Sequence, residues 1–116
     1  MPSNSGRMNK INEELKKAIS NVISGELKNP HLTGLITVTK VDTSPDLKIA
    51  YVYVSMIGAK SNKENLTILK KAAGFVRSSL ARKVNLRTTP EVVFMFDESI
   101  EYGKKIEEII EDIHND

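Results

Sequence analysis

The sequence contains no cysteine and only two histidines, and its six glycines are scattered singly. Without cysteine there are no disulfide frameworks, thiolate zinc sites or cysteine nucleophiles, and the composition fits a reducing cytoplasm, where we place the protein. His31 adjoins a proline in a loop and His114 lies near the end. Neither has a nucleophile beside it, and two isolated histidines make a poor metal site. Asp42 and Asp46 flank a turn and read as turn residues rather than an acid-base pair. No glycine loop of the P-loop or dinucleotide type is present, and no GxxG occurs. No apolar run approaches the roughly 18 residues of a membrane span, and the N-terminus lacks the apolar core of a signal peptide. The expectation is a protein without enzymatic activity, metal, cofactor or small-molecule substrate, and without a place in the membrane.

Acidic residues are missing from one stretch in particular. Residues 65–90 carry Lys70, Lys71, Arg77, Arg82, Lys83 and Arg87 against no Asp or Glu, in a chain of net charge +2. Residues 91–116 hold nine acidic groups against two basic ones. Such asymmetry points to a charged partner, most often nucleic acid on the basic side. The competing reading is that the acidic end folds back and neutralises the basic stretch.

Within that stretch Leu66, Leu69, Ala73, Val76, Leu80 and Val84 recur at three- and four-residue steps, which predicts an amphipathic helix. Lys71, Ser78 and Arg82 fall opposite the apolar stripe, and Lys70 and Arg77 beside its edge. In the middle stands Ala72-Ala73-Gly74. Glycine inside a helix costs roughly 0.5–1 kcal/mol relative to alanine, and three small residues in a row permit a bend or the close approach of another backbone. Two short helices meeting at a kink are therefore expected. The RNA-binding candidates are Lys70, Lys71, Arg77, Arg82, Lys83 and Arg87 for phosphates, with Ser78 on the same face. Ala72, Ala73 and Gly74 complete the set, as the place where RNA backbone approaches.

The rest of the chain reads as an α+β domain. Residues 1–6 are expected to be disordered, 7–113 to form one domain, and 114–116 to fray. Met8, Ile11, Leu15, Ile19, Val22, Ile23 and Leu27 predict a first helix from Arg7, capped by Ser5 and ended at Asn29 by Pro30, with Gly25 loosening its last turn. Residues 35–42 and 47–56 read as an antiparallel hairpin around a turn at 43–46, with Ala50, Val52 and Val54 on one face. Residues 91–96 read as a third strand. Ile106, Ile109, Ile110 and Ile113 give the stripe of a last, acidic helix with Asp97 or Ser99 as cap. A three-stranded sheet with helices on one face is the economical packing. Helix, strand, strand, kinked helix pair, strand is the order of a KH-like domain of the bacterial type, whose usual clamp is a GxxG loop between the paired helices. The strands lack the aromatic signature of an RRM.

The runs ELKNPHLTGLITVTKVDTSPDLKIAYVYVS and KKAAGFVRSSLARKVNLRTTPEVVFMFDESIEYGKKI resemble ribosome-binding factor A, a family of bacterial small-subunit assembly factors. The resemblance covers residues 7–110. Its most specific marks are Ser44 and Asp46 in the turn, residues 50–55, the Ala-x-Gly at 72–74, the run from Arg77 to Arg87, and residues 90–99. It implies a KH-like fold in which an Ala-x-Gly kink replaces GxxG. It also implies a monomeric partner of the free small (30S) ribosomal subunit that contacts 16S rRNA. Such factors assist late maturation, including processing of the RNA's 5′ end, with most need in the cold. Some members carry a longer C-terminal extension, whose role the resemblance does not bring to this sequence. The alternative, from another class, is a small regulatory or scaffolding module that binds a protein through the acidic last helix. A hydrolase is a third reading, opposed by the poverty of histidine and cysteine.

Overall fold

Ile11, Leu15 and Ile19 are buried along one side of the first helix, α1 (Ser5–Asn21), and Val22, just beyond its end, continues the stripe, as their spacing requires. The structure, a computed structural model, describes residues 5–98. The expected last helix, with its isoleucine stripe, lies outside the described residues, as do residues 1–4. Helix α1 already includes Ser5, the residue expected to cap it. Its end differs more. Residues Val22–Glu26 form a π-turn, closed by the Leu27 N–H donating to the Val22 carbonyl at 2.8 Å. The chain then leaves at Leu27 in an extended conformation, φ −83° and ψ 95°, before Asn29 is reached. The hydroxyls of Ser20 and Ser24 donate back to the carbonyls of Lys16 and Ser20, competing with the regular ladder at the point where it widens.

Strands β1 (Leu35–Thr43) and β2 (Ile49–Ile57) pair antiparallel from Leu35 opposite Ile57 to Thr43 opposite Ala50. An irregularity between Val38 and Lys40 makes Thr39 the extra residue of a bulge. The connecting turn sits one residue later than expected. The Leu47 N–H donates to the Ser44 carbonyl at 2.8 Å, placing Pro45 and Asp46 at the centre and Leu47 at φ +61°. That left-handed backbone is unusual for leucine, and two features offset it. Its side chain is buried. The Ser44 Oγ also accepts from the Lys48 and Ile49 N–H groups while donating to Asp46 Oδ1 at 2.7 Å. This hydroxyl, followed by the Lys48 N–H, holds the Asp46 carboxyl below its ordinary value.

Strand β3 (Glu91–Phe96) lies parallel to β2, giving the order β1-β2-β3. Ala50, Val52, Val54 and Met56 on β2, with Val92 and Phe94 on β3, face the helices and are buried, while Tyr51 and Met95 on the other side are exposed. Helix α1 packs over β1, and two further helices, α2 (Asn62–Lys71) and α3 (Ala73–Lys83), pack over β3. The result is an α+β, KH-like architecture of the bacterial type. Gly34, at φ +75°, is a glycine that the fold depends on. A Cβ there would stand 2.5 Å from the Ile57 carbonyl oxygen and 2.6 Å from the Ala59 nitrogen.

Candidate nucleic-acid interface

Helix α2 starts at a cap absent from the sequence-based expectations. Ser61 and Glu64 have the spacing of a capping box, and the Ser61 Oγ accepts from the Glu64 N–H at 3.1 Å. One turn on, Asn65 is buried and grips the loop before β1. Its Nδ2 donates to the Thr33 carbonyl and its Oδ1 accepts from the Thr33 N–H. These bonds fix the start of the basic helices against the rest of the chain.

The two helices meet at Ala72, whose φ of −87° and ψ of 0° leave the helical region. Its N–H is shared between the carbonyls of Ile68 and Leu69, both at 3.0 Å, and its own carbonyl accepts from Val76. The interruption is therefore one residue long. It falls two residues before Gly74, which was expected to supply the bend. Gly74 lies inside α3 with no left-handed φ, and a Cβ built there meets nothing within 4 Å. Ala72 occupies backbone space open to any residue, so no glycine is needed for the break. What Gly74 provides is a bare patch of helix surface.

Leu69, Val76 and Leu80 are buried and Leu66, Ala73 and Val84 half-buried, as the stripe requires. Lys70, Lys71, Gly74, Arg77, Ser78, Arg82 and Lys83 are exposed, with Ala72 half-buried at the junction. Their commitments differ. Arg77 donates from Nε and Nη2 to the Thr89 carbonyl at 3.2 and 3.0 Å, pinning the segment that enters β3. Lys83 pairs with Glu26 at 2.5 Å, and Ser79, fully buried, donates to the other Glu26 oxygen at 2.9 Å. The Lys83 ammonium, then the Ser79 hydroxyl, hold the Glu26 carboxyl below its ordinary 4.5. Glu26, the last residue of the π-turn, reaches both, a contact that sequence periodicity does not reveal.

Lys70, Lys71 and Arg82 make no hydrogen bond or ion pair among the described residues. Arg87 makes none either, but it stands apart from the helices. With Arg7, Met8, Ile11, Pro45 and Leu47 it lines a cavity of ≈ 190 Å³ beside the hairpin turn. Lys17 of α1, not singled out from the sequence, joins Lys83 and Asn85 along a groove of ≈ 420 Å³. Phe75 is a second residue that the sequence reasoning missed. It is 46% exposed on α3, and the available signal was an aromatic inside the acid-free stretch, three and seven residues before Ser78 and Arg82. His31 is exposed in its loop, where its N–H donates to Asn29 Oδ1. His114 and the acidic end that could mask the cations or bind a protein lie outside the described residues. Among the described residues no three His, Cys, Asp or Glu side chains gather as a metal site, and no helix is long and apolar enough to cross a membrane.

A family model described as ribosome-binding factor A matches residues 7–110. A ribosome-binding factor A from Clostridium botulinum (strain Okra / Type B1) is 46% identical over 108 residues, covering 92% of this chain and 90% of that relative. Among solved structures, the crystal structure of ribosome-binding factor A from Thermus thermophilus superposes with a TM-score of 0.69 at 29% identity, covering 77% of this chain and 93% of that one. A Thermus thermophilus RbfA homology model, fitted into a cryo-EM map of a 30S–RbfA complex, superposes with a TM-score of 0.62 at 30% identity, over 75% of this chain and 91% of that one.

Proposed function

We propose that this chain, which belongs to the ribosome-binding factor A family, is a non-enzymatic assembly factor that binds the free small ribosomal subunit through its 16S rRNA. The observation that carries the reading is a cationic helix surface left unused by the fold. Lys70, Lys71 and Arg82 are exposed on α2 and α3 and no intramolecular hydrogen bond or ion pair among the described residues engages them. Each such cation that meets a phosphate releases condensed counterions, so affinity falls with salt. The bare surface at Gly74 lets RNA backbone come close to the helix. The fitted Thermus thermophilus relative supports the choice of the small subunit as partner.

The factor acts as a monomer in the cytoplasm, in late maturation of the subunit, including processing of the rRNA 5′ end, with its need greatest in the cold. Sedimentation of cell extract through a density gradient tests the central claim. The protein is expected with free small subunits; finding it on assembled ribosomes or at the top of the gradient overturns the reading. Incubated alone with precursor rRNA, the purified protein is expected to leave the RNA intact.

A further inference from the structure

We infer that Phe75 is a stacking platform for an unpaired nucleobase of the RNA that the basic face binds, an inference resting on the RNA-binding function proposed above. A solitary exposed apolar side chain needs no special account, so the argument lies in where this one stands. Phe75 belongs neither to the buried core nor to the apolar side chains packed against it, although Val76 and Leu80 on the same helix are core residues. Among the described residues the core closes without it. It sits in the stretch that has six cations and no carboxylate. Ser78 and Arg82 follow it at three and seven positions in α3, which puts the three side chains on one helix face.

The surroundings leave the ring accessible. Gly74 precedes it, Ser78 and Ala81 lie beyond it, and a Cβ placed on Gly74 meets nothing within 4 Å. Arg82 lies about 10 Å further along the axis, given a rise of about 1.5 Å per residue. That is close enough for its long side chain to meet a phosphate flanking a seated base. An aromatic ring beside cations and small residues binds single strands by stacking, with little sequence preference, because every base has a π-face. Bases within a duplex are already stacked on their neighbours. The ligand is therefore an unpaired nucleotide of ribosomal RNA, in a loop, bulge or end.

The test uses the full chain with free small subunits and with an unstructured oligoribonucleotide. Phe75→Ala is expected to weaken binding by roughly five- to a hundredfold while leaving unchanged the slope of log affinity against log salt, because every phosphate contact is kept. Phe75→Tyr and Phe75→Trp should restore affinity and Phe75→Leu should not. The chain has no tryptophan, so Phe75→Trp also provides a unique emitter, whose fluorescence should be quenched by the unstructured oligoribonucleotide and not by a fully paired RNA duplex. Wild-type affinity in Phe75→Ala, or full affinity in Phe75→Leu, overturns the proposal. So does an emission from Phe75→Trp that shifts to the blue on subunits and ignores oligoribonucleotides, which marks contact with a ribosomal protein. Loss of subunit binding in Lys71→Glu/Arg82→Glu alongside an unaffected Phe75→Ala leaves the RNA-binding function standing without the stacking. Retention of binding in the double Glu variant removes both.

Discussion

Lys83 Nζ stands 2.5 Å from Glu26 Oε2, so one of the six cations of the basic stretch is already paired, through a carboxylate that the π-turn after α1 delivers to α3. The pair is open to solvent, and an exposed ion pair contributes little to stability. Its larger effect is on charge. Among the described residues Glu26 is the carboxylate paired with a cation of α3, and it holds Lys83 back from phosphate.

Glu26→Gln should therefore release Lys83. The slope of log affinity for small subunits against log salt is expected to steepen by about one. Stability should change little and should lose a pH dependence. The Glu26 carboxyl is held lower in the folded chain than its ordinary 4.5, so it stabilises the fold above that value. This contribution is lost as pH falls through the folded value. Melting curves of the native and Gln proteins should thus converge on acidification below 4.5; a constant gap between them would show that Glu26 holds the fold by something other than its charge.

Gly34 and Gly74 should respond oppositely to alanine. At Gly34 the added Cβ meets backbone atoms at 2.5 and 2.6 Å in a left-handed conformation, so either the loop or the end of β2 must move. A loss of several kcal/mol is expected, in line with strained substitutions at special backbone positions. At Gly74 the Cβ enters open space inside a helix, and the melting temperature should rise by the equivalent of about 0.5–1 kcal/mol. If RNA backbone approaches there, subunit affinity should fall in the same protein that has become more stable. A Gly74→Ala variant that binds as tightly as the native chain would remove Gly74 from the interface.

Arg77 and Arg82 are both exposed arginines on α3, yet among the described residues only Arg77 makes a hydrogen bond. Its two N–H groups on the Thr89 carbonyl hold the segment that leads into β3. Arg77→Ala should cost about 0.5–1.5 kcal/mol, the net worth of such hydrogen bonding, whereas Arg82→Ala should stay within about 0.5 kcal/mol. Chemical denaturation of the two variants decides this. Equal, negligible losses would mean that the Arg77 contact is incidental.

These contrasts show where the sequence is legible and where it is not. Period-two and three-to-four spacing identifies all three strands, the basic helices and the buried residues Leu69, Val76, Leu80, Ala50, Val52 and Val54, because burial follows directly from periodicity. Single interactions that cross between elements carry no such period. Asn65 holding Thr33, Ser79 and Lys83 sharing Glu26, and Arg77 capping Thr89 each join residues far apart in the chain. Gly74 stands out in the sequence as a glycine in a helix, while Gly34, in a loop with no marked pattern, is required by the backbone at φ +75° and by the atoms a Cβ would meet. Phe75 escapes a search for charge, and its exposure is visible only once the helix is seen packed.

The last prediction concerns Lys71 and Arg82, cations on consecutive helices that the described structure does not use. Reversing both to Glu changes the local charge by four units at positions outside the core, caps and hydrogen-bond network. The melting curve should therefore barely move. Binding should change greatly. Removing two phosphate contacts should lower the magnitude of the salt slope by about two, and the new carboxylates repel RNA as well, so co-sedimentation with small subunits is expected to vanish at moderate salt. Arg82→Lys separates charge from shape. A lysine keeps the point charge but has no planar fork, so near-native affinity would identify a simple electrostatic contact, and a large loss would identify a phosphate gripped by two parallel hydrogen bonds. Should the double Glu variant still travel with small subunits, the RNA-facing surface lies elsewhere, and Arg7 and Arg87, which share one cavity beside the hairpin turn, are cationic candidates for it.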